Sequence, residues 1–432
     1  MALEPMPISF IALLVLCVAY VVAYSRIGVT HPTSIFFLFV LLYLPLKYFF
    51  IRLGDFNYAS PANEVGALSH SGAVEQAGLL LSMYLYLAAF MHQGFRLLRV
   101  SVPILSANSR MPMAWFSIGL GLIILSVFLL RESFDALLDG LKFREFTQLG
   151  GMGYVSILYE LTVAVGLVQA LDLRKYVLLG ILILFHGGLG ILAGRTAPIL
   201  NIAILVLVYL IMVRRQVPIK QLAVVALVLP VFALLHGVAR VRGDLLTALD
   251  YVRDVFDSTD DLFEFLGNSL ISRIDTLEEF SVLSSAVLSG QMDPDPFWPA
   301  QLFVQYIPRS IWESKPFFFN AQMMSIFYPG VFEDRITFNF LGVGEFIYAF
   351  GLLGILPAAV LTGYLLHAVD RYVANSKSDS GIFLFFFLAP YTYLMFGFHV
   401  GWMNTPVIPT ILINLLAIGL IGSFRVCRVR AG

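Results

Sequence analysis

The sequence predicts an all-α polytopic membrane protein with about eleven transmembrane helices and a large periplasmic loop that contains amphipathic helices. Hydrophobic residues make up 59% of the 432 residues and charged residues only 13%, whereas soluble domains are roughly half apolar and a quarter charged. Apolar runs of about 18 to 25 residues recur along the chain, and each is long enough to cross a bilayer as a helix. The net charge of -1 excludes the basic face that nucleic-acid binding requires.

The predicted spans fall into two groups on either side of a long polar and aromatic segment. Residues 1–239 form an N-terminal transmembrane bundle of about eight spans, residues 240–336 a periplasmic loop domain, and residues 337–432 a C-terminal bundle of about three spans with a cytoplasmic tail. The first run lacks a basic leader and a cleavage site, so we expect it to be retained. The approximate span limits are 6–25, 32–51, 74–94, 113–131, 153–172, 176–194, 197–213, 220–239, 338–367, 381–400 and 406–424.

The distribution of Lys and Arg between the spans predicts the orientation. Every second connection is basic, and short basic connections face the cytoplasm. We therefore expect a periplasmic N-terminus and a cytoplasmic C-terminus. The basic set consists of Arg26, Arg96, Arg99, Arg110, Arg174, Lys175, Arg214, Arg215, Lys220, Arg371, Lys377, Arg425, Arg428 and Arg430.

Cations on the opposite, outer side of the membrane need a separate explanation. Arg195 lies in a tight turn between two spans, and Arg240 and Arg242 lie where the eighth span leaves the membrane. Gly243 allows the helix to end there, so that both arginines can face one cavity. Guanidinium groups hold phosphate through paired hydrogen bonds, so these residues suit a pyrophosphate in a partly dry cleft. The long loop adds Arg273, Arg309, Lys315 and Arg335.

Two alternatives apply to individual arginines. An arginine at a span end can extend its side chain to the lipid phosphates, and we assign this role first to Arg131, Arg144 and Arg253. Arg335 can also pair with a neighbouring carboxylate such as Asp334.

Two carboxylates fall in the interior of predicted spans rather than at their ends. Glu345 lies in the ninth apolar run, after two glycines that permit close approach, and Glu160 lies in the fifth. A charged residue in hydrocarbon faces a cavity or a partner. A structural ion pair is one interpretation of each, and for Glu345 the other is a base that takes a proton from a hydroxyl group.

Histidines and cysteines give no metal or disulfide signature. His186, His236 and His399 lie near span ends and are expected to be packed and hydrogen-bonded. Cys17 and Cys427 are too far apart in sequence for a cluster, so we expect packing roles.

The long loop is predicted to be helical in its first half. Apolar residues at helical spacing over residues 245–256 predict an amphipathic helix, and Ser258 with Asp261 has the form of a capping box. Glu278 and Glu279 share a helical face with Asp275. Residues 290–329, rich in Pro and aromatic residues, are predicted to be an irregular loop folded onto the mouth of the bundle.

Residues 307–316 (IPRSIWESKP) and 338–345 (FNFLGVGE) resemble the Wzy-type O-antigen and oligosaccharide repeat-unit polymerases. The large outer loop of that family carries a similar Ile-Pro-x-x-x-Trp-x-x-(Lys/Arg)-Pro pattern ahead of a glycine-bearing span. The turn at residues 194–196 (GRT) and the overall plan of spans and loop are also similar.

The resemblance implies a glycosyltransferase of GT-C-like architecture in the bacterial inner membrane that needs no cofactor and no metal. It would move a growing glycan from undecaprenyl pyrophosphate onto a new undecaprenyl-pyrophosphate-linked repeat unit. Implied partners are this lipid-linked glycan, membrane lipids, a flippase and a Wzz-type chain-length regulator.

The candidate residues take roles in such a transfer. We assign catalysis to Glu345, Arg309 and Arg240, with the arginines stabilising the pyrophosphate as the sugar–phosphate bond breaks. Trp298 is a further aromatic that could stack on a sugar or be buried in the loop fold. The predicted pyrophosphate- and glycan-binding residues are Arg195, Arg242, Arg273, Lys315, Arg335, Trp312 and Tyr306.

Two other functions are alternatives. An O-antigen ligase shares architecture and donor, but that resemblance would depend on a histidine in the outer loop, and residues 242–335 contain none. A polysaccharide or lipid-linked oligosaccharide transporter would place charges through the whole membrane depth, whereas here they are expected to collect at one face.

Overall fold

The computed structural model describes the helical parts of the chain and their immediate connections. Residues 1–7, 193–275 and 376–423 are among those outside the description. The described residues are 8–25, 33–38, 40–41, 71–101, 104–107, 113–132, 159, 162–163, 166–167, 170, 174–192, 276–300, 312, 314, 319–329, 340–375 and 424–427.

Within these ranges the protein is helical apart from two short strands. The helices are α1 (Ile8–Ser25), α2 (Ser71–Leu97), α3 (Met113–Arg131), α4 (Tyr176–Leu192), α5 (Thr276–Leu288), α6 (Phe319–Phe327), α7 (Gly342–Phe350) and α8 (Ile355–Asn375). Two 3-10 turns span Trp298–Ala300 and Gly351–Gly354, and the strands are β1 (Ile104–Ala107) and β2 (Phe424–Cys427).

The structure confirms a helical membrane protein. Three stretches are long and apolar enough to cross a membrane, namely Ala73–Leu97, Ala114–Arg131 and Gly342–Arg371. Helix α3 has the predicted limits of 113–131, and α1, α2 and α4 lie close to theirs. The number of eleven spans stays a prediction, because several predicted spans lie outside the described residues.

Helices α2 and α8 run parallel. The hydroxyl oxygens of Tyr84 and Thr362 are 2.6 Å apart, and Nε2 of His92 lies 2.8 Å from Oδ2 of Asp370. In both pairs the two residues are 278 positions apart. A step towards the C-terminus of α2 therefore corresponds to an equal step towards the C-terminus of α8. A Cβ at Gly363 would lie 2.8 Å from the Ala88 carbonyl oxygen, so glycine permits this close packing.

Helix α1 runs parallel to α2 as well. The Ser82 hydroxyl donates to the Ser9 carbonyl oxygen at 2.7 Å, and the Tyr86 hydroxyl donates to that of Ala12 at 2.9 Å. Parallel neighbours in a chain that crosses a membrane repeatedly are separated by an odd number of crossings. The predicted first, third and ninth spans satisfy this condition.

The ends of the bundle can therefore be defined by α2 and α8. Arg96, in the last turn of α2, and Arg371, near the end of α8, lie at the same end, which we call the inner end. The opposite end, where α8 begins, is the outer end. Two connections that were predicted to be basic and cytoplasmic thus share one side, while the absolute orientation remains a prediction from the positive-inside rule.

A second helical group packs around α3 and α4. A Cβ at Gly121 would touch Phe185, Leu189 and Tyr159. The described residues between Tyr159 and Ala170 run antiparallel to both helices, since Gly166 lies against the opposite end of α3, at Ala114. This direction agrees with the predicted fifth span lying between two spans of opposite direction.

The two strands were not predicted. β1 follows α2, and β2 belongs to the C-terminal tail, and they pair antiparallel with Ile104 opposite Cys427. Both segments were predicted to be cytoplasmic because of the Lys and Arg residues near them. Their pairing agrees with a location on the same side of the membrane.

Helical structure covers most of the predicted ninth span, 338–367, but it is not one continuous helix. Helix α7 ends at Phe350, a 3-10 turn follows, and α8 continues to Asn375. Gly351 has a φ of 61°, and a Cβ at Gly354 would lie 1.9 Å from the Phe346 carbonyl oxygen, so two glycines make this sharp turn possible. The 21 residues of α8 alone extend about 31 Å, enough for the hydrocarbon core.

The prediction of an irregular loop over residues 290–329 is partly wrong, because α6 forms within it. Local apolar contacts account for this helix, which buries Phe319, Met323 and Met324 on one side. Helix α5, which precedes residues 290–329 in the long predicted loop, is buried on nearly all sides and packs against α2 and α7.

Candidate functional site

Glu345 lies at the outer end of the bundle, in the first turn of the short helix α7. Its side chain is fully buried, and α7 itself is buried over residues 342–349. The 3-10 turn after Phe350 separates Glu345 from the long helix α8. The helix begins after Leu341, whose φ is 62°, and no side chain caps it. The partial positive charge of a helix N-terminus favours an anionic side chain at this position.

Helix α5 adds two more buried carboxylates beside α7. Glu278 is 3% exposed and Glu279 is fully buried. The two helices pack closely, since a Cβ at Gly344 would lie 3.0 Å from Cδ2 of Leu283. Buried carboxylates are costly unless they interact with partners, and Glu278, Glu279 and Glu345 each take part in further interactions within the fold.

An aromatic cluster also packs against α7. Its members are linked by ring contacts around Phe319: the ring centroid of Tyr348 lies 5.4 Å from that of Trp298 and 5.9 Å from that of Phe319. Phe340 extends the cluster at 6.2 Å from Phe319. These tilted and edge-to-face pairs are the arrangements that aromatic rings prefer. Tyr348 is one helical turn from Glu345, so the two residues share a face of α7.

A strap formed by residues 293–300 holds Trp298 against this cluster. The backbone N–H of Asp295 donates to the Tyr348 carbonyl oxygen at 2.9 Å. Most of the strap is exposed, and the Phe297 side chain is 80% exposed. Trp298 is the fully buried residue of the strap. This burial agrees with the alternative that its side chain is packed in the loop fold.

The residues that sequence analysis assigned to the site are described only in part. Glu345 lies as given above, and Trp312 is 37% exposed with its indole N–H donating to the Ser314 hydroxyl at 2.9 Å. Glu160, His236 and His399 lie outside the described residues. The assigned residues Arg195, Arg240, Arg242, Arg273, Tyr306, Arg309, Lys315 and Arg335 also lie outside them.

A second polar constellation lies at the inner end, and sequence analysis missed it. Oδ2 of Asp370 accepts hydrogen bonds from Nε2 of His92 at 2.8 Å and from the Thr33 hydroxyl at 2.7 Å. His92 and Thr33 are fully buried. The same end of α8 carries His367, whose Nε2 donates to the Val100 carbonyl oxygen at 3.1 Å.

This constellation corrects the expectation that charged residues collect at one face, since buried ionisable groups lie at both ends of the bundle. The spacing of His367 and Asp370, three residues apart near the end of an apolar run, could have indicated a polar helix face. Their partners are distant in sequence and gave no signal. His186, in contrast, is packed as predicted, with Nδ1 3.0 Å from the Tyr159 hydroxyl. Cys17 is a buried free cysteine, in agreement with a packing role.

Within the described ranges, no group of three or more His, Cys, Asp or Glu residues is arranged to hold a metal ion. No protein-family model, no curated protein and no solved structure matches this chain.

Proposed function

We propose that the chain is an integral-membrane glycosyltransferase that polymerises oligosaccharide repeat units linked to undecaprenyl pyrophosphate. The product is O-antigen or a related surface polysaccharide, made at the periplasmic face of the bacterial inner membrane. The proposal originates in the resemblance of residues 307–316 and 338–345 to the Wzy-type polymerases. The burial of Glu345 in a short helix at the outer end supports it.

The burial of Glu345 in the first turn of α7 is the observation that carries the proposal. A carboxylate held away from bulk water, at the end of the bundle opposite to Arg96 and Arg371, suits a general base that acts on an acceptor outside the cytoplasm. Aromatic side chains lie beside it, as in sites that bind sugar rings.

The proposed reaction needs no nucleotide sugar. A hydroxyl oxygen of the incoming repeat unit attacks the anomeric carbon of the growing glycan and forms the new glycosidic bond. The bond between that carbon and the phosphate oxygen breaks, and undecaprenyl pyrophosphate leaves with the bonding electrons. Glu345 takes the hydroxyl proton, while Arg309 and Arg240 stabilise the leaving pyrophosphate. Arg195 and the other predicted cations would hold the same group.

Reconstitution tests this proposal directly. The purified full chain in proteoliposomes, given a lipid-linked repeat unit in the presence of a metal chelator, should produce a ladder of glycans. Glu345→Gln should reduce the rate by roughly 10² to 10⁴, the usual contribution of a general base. Glu75→Gln is the matched control, since Glu75 is an exposed glutamate near the start of α2, at the same end of the bundle. Single transfer to a lipid A core acceptor without a ladder would indicate a ligase, and equal rates for both variants would remove Glu345 from the mechanism.

A further inference from the structure

Near Tyr348, two buried polar atoms have no hydrogen-bond partner among the described residues. Within the described part of the chain, neither Nε1 of Trp298 nor Oε1 of Gln322 has a hydrogen-bond partner. The other amide atom of Gln322 lies 3.5 Å from the Tyr348 hydroxyl. A buried donor or acceptor without a partner costs about 1 to 3 kcal/mol, so such atoms are commonly satisfied by water or by a ligand.

We propose that Trp298, Gln322 and Tyr348 form a subsite for a sugar hydroxyl of the lipid-linked repeat unit, an inference that rests on the proposed function. The indole N–H can only donate, and Oε1 of the amide can only accept. A single hydroxyl group does both, because its oxygen accepts one hydrogen bond and its proton is donated in another. The two atoms are therefore complementary to one hydroxyl group.

The aromatic side chains around these two polar atoms suit a sugar ring better than a small polar molecule. The rings of Trp298, Tyr348 and Phe319 pack against one another beside these polar atoms. Sugars present apolar C–H faces that can pack on aromatic rings of this kind once the strap has moved. Glu345 is one helical turn from Tyr348 on α7. A sugar held at the subsite would thus place a second hydroxyl towards the proposed base, and the subsite would orient the acceptor for attack.

Entry to the subsite requires the strap to lift. Trp298 is fully buried, but the strap that carries it is mostly exposed. Within the described residues, a backbone hydrogen bond from Asp295 to Tyr348 and the ring contact of Trp298 with Tyr348 join the strap to α7. Gly290 has a φ of 71°, and no atom lies within 4 Å of the place that a Cβ would occupy there. This glycine allows the backbone to turn between α5 and the strap.

The test uses a strain in which the gene is deleted and then restored as the full chain or its variants. Trp298→Phe keeps an aromatic ring but removes the N–H, and Gln322→Met keeps the chain length but removes both polar atoms. We expect each to reduce polymer yield per folded protein roughly tenfold, the value of one hydrogen bond to a substrate. The double variant should be little worse than either single variant, because both atoms hold the same hydroxyl.

Thermal unfolding of the purified variants separates binding from a structural role. The Trp298 N–H has no partner among the described residues, so its removal in Trp298→Phe should leave the unfolding temperature unchanged or raise it. Trp115→Phe is the matched control, since Trp115 is 56% exposed on α3, and its polymer yield should equal that of the wild type.

Each outcome is decisive. Wild-type yield from both Trp298→Phe and Gln322→Met would show that the two atoms hold a water molecule only, and would overturn the subsite. Additive losses in the double variant would exclude a shared hydroxyl. If the deletion strain makes normal polymer, the proposed function itself fails, and the subsite fails with it.

Discussion

His92 and Asp370 are joined by a 2.8 Å hydrogen bond between Nε2 and Oδ2, although 278 residues separate them in sequence. Thr33 donates to the same carboxylate oxygen, so three helical segments meet at one atom. The contact lies at the inner end of the parallel helices α2 and α8. It fixes the register of the two helices whose other ends hold α5 and α7, and so supports the geometry around Glu345.

Loss of this contact should destabilise the protein. Asp370→Ala leaves the buried His92 and Thr33 without their shared acceptor, and a buried polar group that loses its hydrogen-bond partner costs about 1 to 3 kcal/mol. We expect a loss of this order in the free energy of unfolding in detergent micelles. Glu132→Ala is the control, because Glu132 pairs with Arg131 at 3.9 Å on the exposed end of α3 and should cost less than about 1 kcal/mol. Equal losses in both variants would contradict a structural role for the inner constellation.

Glycine substitutions should separate helix packing from helix propensity. Gly363→Ala places a methyl group 2.8 Å from backbone atoms of α2, so it should force α8 away and lower the free energy of unfolding by about 1 to 3 kcal/mol. Gly119→Ala meets no atom within 4 Å and should raise it by up to about 1 kcal/mol, because alanine favours the helix. A stabilising Gly363→Ala would show that α2 and α8 are not in close contact.

Sequence patterns predicted the membrane helices well where one apolar run corresponds to one helix. Helix α3 begins and ends as predicted, because its run is continuous and ends at Arg131. The ninth run is also helical, but its helix is interrupted for a physical reason. Hydropathy measures apolar character but not backbone direction, and the glycines at 351 and 354 turn the chain sharply without interrupting the apolar composition.

The candidate site was predictable only in part. Glu345 stood out because a carboxylate in an apolar run is costly. The neighbouring Glu278 was predicted only to share a helical face with Asp275 and Glu279, and its burial depends on the packing of α5 against α2 and α7. The pairing of His92 with Asp370 joins distant segments, and no local pattern carries such information.

The orientation can be tested with single cysteines in a Cys427→Ser background, in which Cys17 remains buried. Phe297→Cys lies on the strap, and Leu98→Cys follows α2, and the original side chains are 80% and 78% exposed. A membrane-impermeant maleimide added to spheroplasts should label position 297 only, and position 98 should react only after lysis. The reverse pattern would place the candidate site in the cytoplasm and exclude the proposed polymerase.

The predicted outer cations are expected to bind the leaving pyrophosphate. Arg195→Ala, Arg240→Ala and Arg309→Ala should each abolish polymer while leaving single capped repeat units, because the leaving pyrophosphate loses a charge-assisted contact that carries much of the catalysis. Glycan gels of complemented deletion strains provide the measurement. Arg131→Ala is the matched control, since this side chain is 62% exposed at the end of α3 and should be needed only at the lipid surface. Wild-type polymer length in two of the three outer variants would refute the arginine assignment.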